Sequence, residues 1–88
     1  MQFSELSPET WPAHTLSMAA LLTLNPPQLR RVLKAGLRQG AADADLRQLI
    51  ATEFGWEAEA DEVDQLLTLL QEHSWMRRNG DTWKTHLV

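Results

Sequence analysis

Cysteine is absent from the 88-residue chain, and its absence excludes several kinds of chemistry. A chain without thiols forms no disulfide, performs no thiolate catalysis and builds no cysteine-based zinc or iron–sulfur site. Its stability has to come from packing, and a domain of this size buries only about two-thirds of the surface that its unfolded chain exposes. We therefore expect one domain with a thin hydrophobic core.

Long apolar runs are also missing. The longest, residues 18–22, is far too short to cross a bilayer. The N-terminus does not show a basic segment followed by an apolar stretch and a small-residue cleavage site, the pattern of a secretory signal. We expect a soluble protein with cytoplasmic localisation and no membrane partner.

Motifs of catalysis are lacking too. The histidines His14, His73 and His86 have no partner at helical i,i+4 spacing, no glycine-rich loop could cradle a phosphate, and no nucleophile motif is present. The neighbouring acids Asp61 and Glu62 are typical of a helix surface. The sequence predicts a non-enzyme without a metal, cofactor or small-molecule substrate.

The formal net charge of −4 is distributed unevenly along the chain. Residues 56–73 contain six carboxylates and neither lysine nor arginine, whereas the positive charge is concentrated in residues 25–40 and in the last fifteen residues. A generic nucleic-acid-binding protein is expected to be positive overall, and this chain is not.

The first 24 residues give a mixed signal. Residues 7–9, Ser-Pro-Glu, are typical of a helix start, but Pro12 would interrupt that helix. Residues 15–24 fit a strand through alternating apolar positions, and also a helix. We favour a helix, because methionine, alanine and leucine are good helix formers and threonine is the sole β-branched residue there. Its predicted stripe is Leu16, Ala19, Ala20 and Thr23.

Three further helices and their ends are marked more clearly. Asn25 should cap a helix that begins at the following prolines and ends at Gly40. Asp43 or Asp45 should cap the next helix, which Gly55 closes. The acidic residues 57–62 then suit the positive N-terminal end of a third helix. The three predicted apolar faces are Leu29, Val32, Leu33 and Leu37; Leu46, Leu49, Ile50 and Phe54; and Val63, Leu66, Leu67 and Leu70. The first of these helices carries the basic residues Arg30, Arg31, Lys34 and Arg38 on its other side.

A β-hairpin is predicted at the C-terminus, with strands over residues 75–78 and 81–84 and a type I′ turn at Asn79-Gly80. A two-residue turn there would place Arg78 opposite Asp81, and Met76 opposite Trp83. Alternation gives one face to Met76, Trp83 and Leu87, and the other to Arg77, Thr82 and Lys84. The fold class predicted is α+β, mainly α with a C-terminal hairpin.

Helices joined by a short turn and followed by a ribbon with a glycine turn resemble the winged helix-turn-helix superfamily over residues 25–88. Residues 66–81 look like the end of a recognition helix that runs into the wing of a bacterial regulator. The resemblance implies a winged-helix domain over residues 25–88 with a helical extension over residues 1–24. It does not imply one function, since the superfamily includes DNA readers, subunit-docking modules and peptide-binding elements.

Residues 24–76 also resemble the PqqD-like peptide-recognition elements of ribosomal-peptide biosynthesis, in a set of shared pieces: Leu24-Asn25, Gly40, Phe54, the acidic residues 61–64 and Trp75-Met76. Those elements bind a leader peptide on several N-terminal strands, and this chain offers at most one strand there. Peptide recognition is therefore a further alternative.

DNA binding through the third predicted helix is disfavoured by charge. Its early positions, which would face base edges, are the acids Glu57, Glu59, Asp61, Glu62 and Asp64. Carboxylates repel phosphates, so in this region Gln65 alone could reach a base without a penalty. The wing offers a second route through Arg77, Arg78 and Lys84, although such residues also serve as edge-strand charges that block unwanted pairing.

The same acids and the four tryptophans favour a protein partner, a second copy of the chain included. Trp75 and Trp83 have opposite parity in the hairpin, so at least one should be partly exposed, and Trp56 and Trp11 are further candidates. The alternative interpretation is that the acids cap a helix and that the tryptophans are core residues. The predicted protein-binding residues are Trp56, Glu59, Asp61, Glu62 and Trp75. The sequence thus predicts a non-catalytic binding module, with DNA binding by the wing as the alternative.

Overall fold

The computed structural model describes residues 2–6, 9, 11, 15–37 and 39–87, and these form an α+β fold. A 3₁₀ turn at Phe3–Leu6 is followed by helices and strands. The helices are α1 (Met18–Thr23), α2 (Pro27–Ala35), α3 (Asp43–Phe54) and α4 (Asp61–Glu72). The strands are β1 (Ala41–Ala42), β2 (Met76–Asn79) and β3 (Thr82–Thr85), which make an antiparallel sheet in the order β1-β3-β2.

The helix predicted within residues 15–24 is present as α1, but its buried face was predicted wrongly. Ser17 caps it by accepting a hydrogen bond from the Ala20 amide at 3.1 Å. Leu21 and Leu24 are buried, whereas two residues of the predicted stripe, Ala19 and Thr23, are exposed. The reason is that Leu16 lies outside the helix, in a parallel bridge with Leu87, and so does not set the helical face. The start predicted at residues 7–9 and the break at Pro12 lie largely outside the described residues.

The ends of α2 differ from the prediction. Pro26, rather than Asn25, is the N-cap, and the helix ends at Gly36 instead of Gly40. The C-terminal ribbon, which is the hairpin of β2 and β3, packs on α2 at Gly36, where the Thr85 amide donates to the Gly36 carbonyl at 2.8 Å. Gly40 instead has a φ of +85° just before β1, where an added Cβ would lie 2.6 Å from the Trp83 carbonyl oxygen.

The faces of α3 and α4 follow the predicted periodicity, although their starts do not. Ala42 is the N-cap of α3, so neither Asp43 nor Asp45 caps it, and Gly55 closes the helix as predicted with a φ of +74°. Because α4 begins at Asp61, the residues Glu57 and Glu59 lie in the preceding turn. Every residue of the predicted apolar faces of these two helices is buried except Leu49, which is half-buried.

The C-terminal hairpin is present in a different register. Arg78 pairs with Trp83, and Asn79 with Thr82, so the turn residues are Gly80 and Asp81. A type I′ turn at Asn79-Gly80 needs positive φ at both residues, and within this turn only Gly80 has it. Relative to the prediction, the partner of each β2 residue lies two positions further along β3. Because two is an even number, the predicted faces are preserved: Met76 and Trp83 are buried, and Arg77 and Lys84 are exposed. The short strand β1, which the sequence analysis did not predict, pairs with β3.

The N-terminal residues contribute to the same hydrophobic core as the rest of the chain. Leu6, Trp11, Leu16, Leu21 and Leu24 join the buried side chains of α2, α3, α4 and the ribbon in one cluster. Among the described helices, none has the length and apolar character needed to cross a membrane.

Candidate functional site

Trp75 is a core residue, so its predicted place on a protein-binding surface is wrong. Its exposed fraction is 0%, and that of Trp83 is 3%, which contradicts the expectation that at least one of the two would be partly exposed. Both side chains are buried because Trp75 precedes β2 and therefore does not follow the alternation of the strand. Ser74, with a φ of +61°, turns the chain there, and Trp75 stacks against Trp11 with ring centroids 5.4 Å apart.

The other two tryptophans differ in accessibility. Trp11 is buried, as the core interpretation of the tryptophans predicts, and its indole N–H donates to the Leu6 carbonyl at 3.1 Å. Trp56 remains half-buried, stacked on Phe54 at 5.0 Å and facing Phe3 at 6.2 Å. Of the two tryptophans predicted to bind a partner, Trp56 and Trp75, only Trp56 reaches the surface.

A charged network that the sequence analysis missed joins the sheet to α3 and α4. Asp43 accepts hydrogen bonds from the Trp83 indole N–H at 2.8 Å and from Arg47 at 3.0 Å, and Arg47 also contacts Asp64 at 2.6 Å. The Trp83 hydrogen bond lowers the pKa of Asp43, partial burial opposes this shift, and Arg47 adds to it. The Asp64 hydrogen bond raises the pKa of Arg47. The i,i+4 spacing of Asp43 and Arg47 in the sequence could have predicted their ion pair.

The first turn of α4 is acidic, because it contains Asp61, Glu62 and Asp64. The helix contains four carboxylates and no lysine or arginine. Among the residues predicted to bind a partner, Asp61 and Glu59 are exposed and Glu62 is half-buried. Glu59 and Asp64 line the same polar depression between α3 and α4. The structure therefore brings the predicted acids to one end of α4.

A groove of about 420 Å³ lies beside Asp64, between the N-terminal 3₁₀ turn and the middle of α4. Its apolar walls come from Phe3 and Leu69, and Thr68, Gln65 and Asp64 complete the lining. Local patterns in the sequence give no sign that Phe3 packs beside α4, because α4 begins 58 residues after Phe3. Gln65, predicted as a base-reading residue, lines this groove.

The predicted nucleic-acid-binding residues of the wing separate into two groups. Arg77 and Lys84 are directly opposite each other on the outer face of the ribbon, and both are exposed. Arg78 belongs to the inner face, where its guanidinium lies 5.8 Å from the Trp83 ring and donates to the Gly80 carbonyl at 2.8 Å. Its predicted cross-strand contact with Asp81 is a loose i,i+3 ion pair of 3.9 Å.

In the described residues no group of three or more histidine, aspartate or glutamate side chains is placed to hold a metal ion.

Comparisons with protein-family models, with curated proteins and with solved structures found no match.

Proposed function

We propose that this chain is a small, non-catalytic winged-helix module that binds a protein partner through the outer face of α4. The winged-helix assignment over residues 25–88 is supported by the helices α2, α3 and α4 and by the hairpin directly after α4. A short turn joins α3 to α4. The observation that carries the proposal is the groove between Phe3 and Leu69, because it sets an apolar surface beside a helix that carries only negative charge.

Charge decides between a protein and DNA at this helix. A phosphate backbone approaching α4 would meet Asp61 and Asp64 and would find no cation on the helix itself, and Arg47 of α3, which lies beside Asp64, is already paired with Asp43 and Asp64. A protein segment that presents an apolar side chain and lysine or arginine fits both properties of the surface. The partner class is therefore a cationic, amphipathic segment.

A labelled peptide tests this proposal. The probe is an amphipathic helical peptide of about 14 residues with leucine on one face and lysine on the other, and its control carries glutamate in place of lysine. Anisotropy titrations of the full chain should detect binding of the lysine peptide that weakens as salt is added. The glutamate peptide should not bind.

Two matched variants locate the contact. Thr68→Lys places a cation in the groove and should weaken binding about tenfold, equivalent to about 1.4 kcal/mol. Thr52→Lys makes the same change at an exposed position of α3 and should leave affinity nearly unchanged. Equal binding of both peptides, or equal affinity of both variants, would reject this surface.

DNA binding by the wing is the second candidate, supported by one observation. Arg77 faces Lys84 directly, and their face of the ribbon also carries Asn79 and Thr82, so it holds hydrogen-bond donors and no acid. Like charges placed opposite each other are unfavourable, and an anion could relieve them. A titration with mixed-sequence duplex at low salt tests this function. Micromolar binding that Arg77→Glu with Lys84→Glu abolishes would support it over the protein-only proposal.

The PqqD-like alternative predicts a leader-peptide site on N-terminal strands. Within residues 2–6, 9, 11 and 15–37 the structure has a 3₁₀ turn, two helices and a single bridge residue, Leu16. These elements give less support to strand-mediated peptide binding than the α4 groove gives to the first proposal.

A further inference from the structure

Helix α1 carries an apolar surface that its own chain leaves uncovered. Met18 and Leu22 are 50% and 53% exposed, and they are the large apolar side chains that stand out to solvent among the described residues. Their spacing of four residues puts them on one side of the helix. Exposing two such side chains together costs free energy that a contact could recover.

Cations from α2 border this surface. Arg30 donates to the Leu22 carbonyl at 3.1 Å, and Lys34 lines a depression together with Met18, Leu21 and Leu37. No aspartate or glutamate occurs between Glu9 and Asp43 in the sequence. The surface of Met18, Leu22, Arg30 and Lys34, here called the α1 knob, is therefore apolar with a positive border.

The α4 groove has the complementary composition. Its walls come from Phe3 and from α4, and neither residues 1–29 nor residues 48–76 contain a lysine or arginine. Asp64 lies within the groove, where Arg47 of α3 pairs with it at 2.6 Å, and Glu5 is exposed on the 3₁₀ turn that carries Phe3. The chain thus presents one apolar surface bordered by the cations Arg30 and Lys34, and another bordered by Glu5 and by Asp64 with its partner Arg47.

We propose that the chain associates with a second copy of itself head to tail, with the α1 knob of one copy seated in the α4 groove of the next. The inference rests on the proposed function, because it uses the same groove and the same partner chemistry. Within one chain Met18 and Leu22 stay half exposed, so the knob is not satisfied intramolecularly.

The geometry of the contact sets its consequences. Because the knob and the groove are different surfaces, the contact is heterologous, and successive copies either close into a ring or extend as a chain. A contact made by two side chains and their border falls at the small end of protein interfaces, so the association is weak and salt-dependent. It also makes the knob a competitor of any external partner for the groove.

Sedimentation velocity on mixed variants tests this contact. Met18→Asp with Leu22→Asp removes the knob at exposed positions and leaves the groove intact, whereas Thr68→Lys blocks the groove and leaves the knob intact. Each variant alone should remain monomeric at low salt, and their equimolar mixture should form a one-to-one dimer. The wild-type chain should associate increasingly between about 10 μM and 1 mM, and the control Thr52→Lys should behave like it.

The outcomes separate this inference from the function on which it rests. A wild-type chain that stays monomeric at 1 mM or so, variants that associate alone, or a mixture that forms no dimer would each overturn the head-to-tail contact. If the lysine peptide still binds the groove of that monomeric chain, the proposed function stands without self-association. If neither the peptide nor a second copy binds, both fail together.

Discussion

Asp43 links the C-terminal hairpin to α3. It accepts the Trp83 indole N–H at 2.8 Å and an Arg47 N–H at 3.0 Å. We predict that Asp43→Ala lowers the free energy of unfolding by about 2 kcal/mol, since the loss leaves the largely buried indole donor and the guanidinium without this charged acceptor. Asp45→Ala, at an exposed position of the same helix, should cost much less. Urea unfolding followed by tryptophan fluorescence measures both, and equal losses would contradict the assignment.

The pH dependence of stability provides a second prediction for Asp43. Its pKa is lowered on folding below the ordinary value of 3.8, so the folded state binds the proton less tightly than the unfolded chain does. The stabilisation is therefore complete above the unfolded pKa and is lost as pH falls through the lower folded pKa. The wild-type chain should lose more stability than Asp43→Asn as pH falls from about 5 to 2. Parallel curves from urea titrations would show that the carboxylate contributes nothing.

At the scale of elements, the docking of the ribbon on α2 depends on space at Gly36. A Cβ there would lie 2.5 Å from the Thr85 hydroxyl and 2.6 Å from the Met76 methyl, although the φ of −86° suits any residue. Gly36→Ala should therefore cost about 1–3 kcal/mol through overpacking, and Gly36→Asn more.

Gly80 provides the contrast, because an added Cβ there meets nothing within 4 Å and the constraint is its φ of +63°. Asparagine tolerates that backbone conformation better than alanine, so the order should reverse and Gly80→Asn should cost less than Gly80→Ala. Thermal or urea unfolding of the four variants distinguishes a space requirement from a backbone requirement. The same order at both sites would contradict this explanation.

The outer face of the ribbon carries an unfavourable pair that a substitution can reverse. Arg77 faces Lys84 directly, so Lys84→Glu replaces a repulsive cross-strand pair with an attractive one and should stabilise the fold by about 0.2–1 kcal/mol at low salt. The gain should shrink as salt is added. Changing both Arg77 and Lys84 to glutamate restores a like-charge pair and should remove the gain in stability. A Lys84→Glu chain that is no more stable than the wild type in low-salt unfolding would count against this register.

For the whole molecule, local patterns predicted the elements better than the contacts between them. The apolar periodicity of α3 and α4 and the glycine turn of the hairpin were readable, because each depends on neighbouring residues. The hairpin register was misplaced, because residues 79–81, Asn-Gly-Asp, offer two adjacent pairs that suit a tight turn. The burial of Trp75 and the groove at Phe3 depend on an N-terminal segment that packs on distant residues, and no local pattern reports such a contact.

We propose that α4 binds a cationic protein segment and that nucleic acid is not its ligand. The decisive measurement is an NMR titration of the full ¹⁵N-labelled chain at low salt, first with the lysine peptide and then, on a separate sample, with mixed-sequence duplex. We expect the peptide to shift the amide signals of Gln65, Thr68 and Leu69 and the duplex to leave them in place. Shifts centred on Arg77 and Lys84 with the duplex, together with an α4 that does not respond to the peptide, would contradict this proposal.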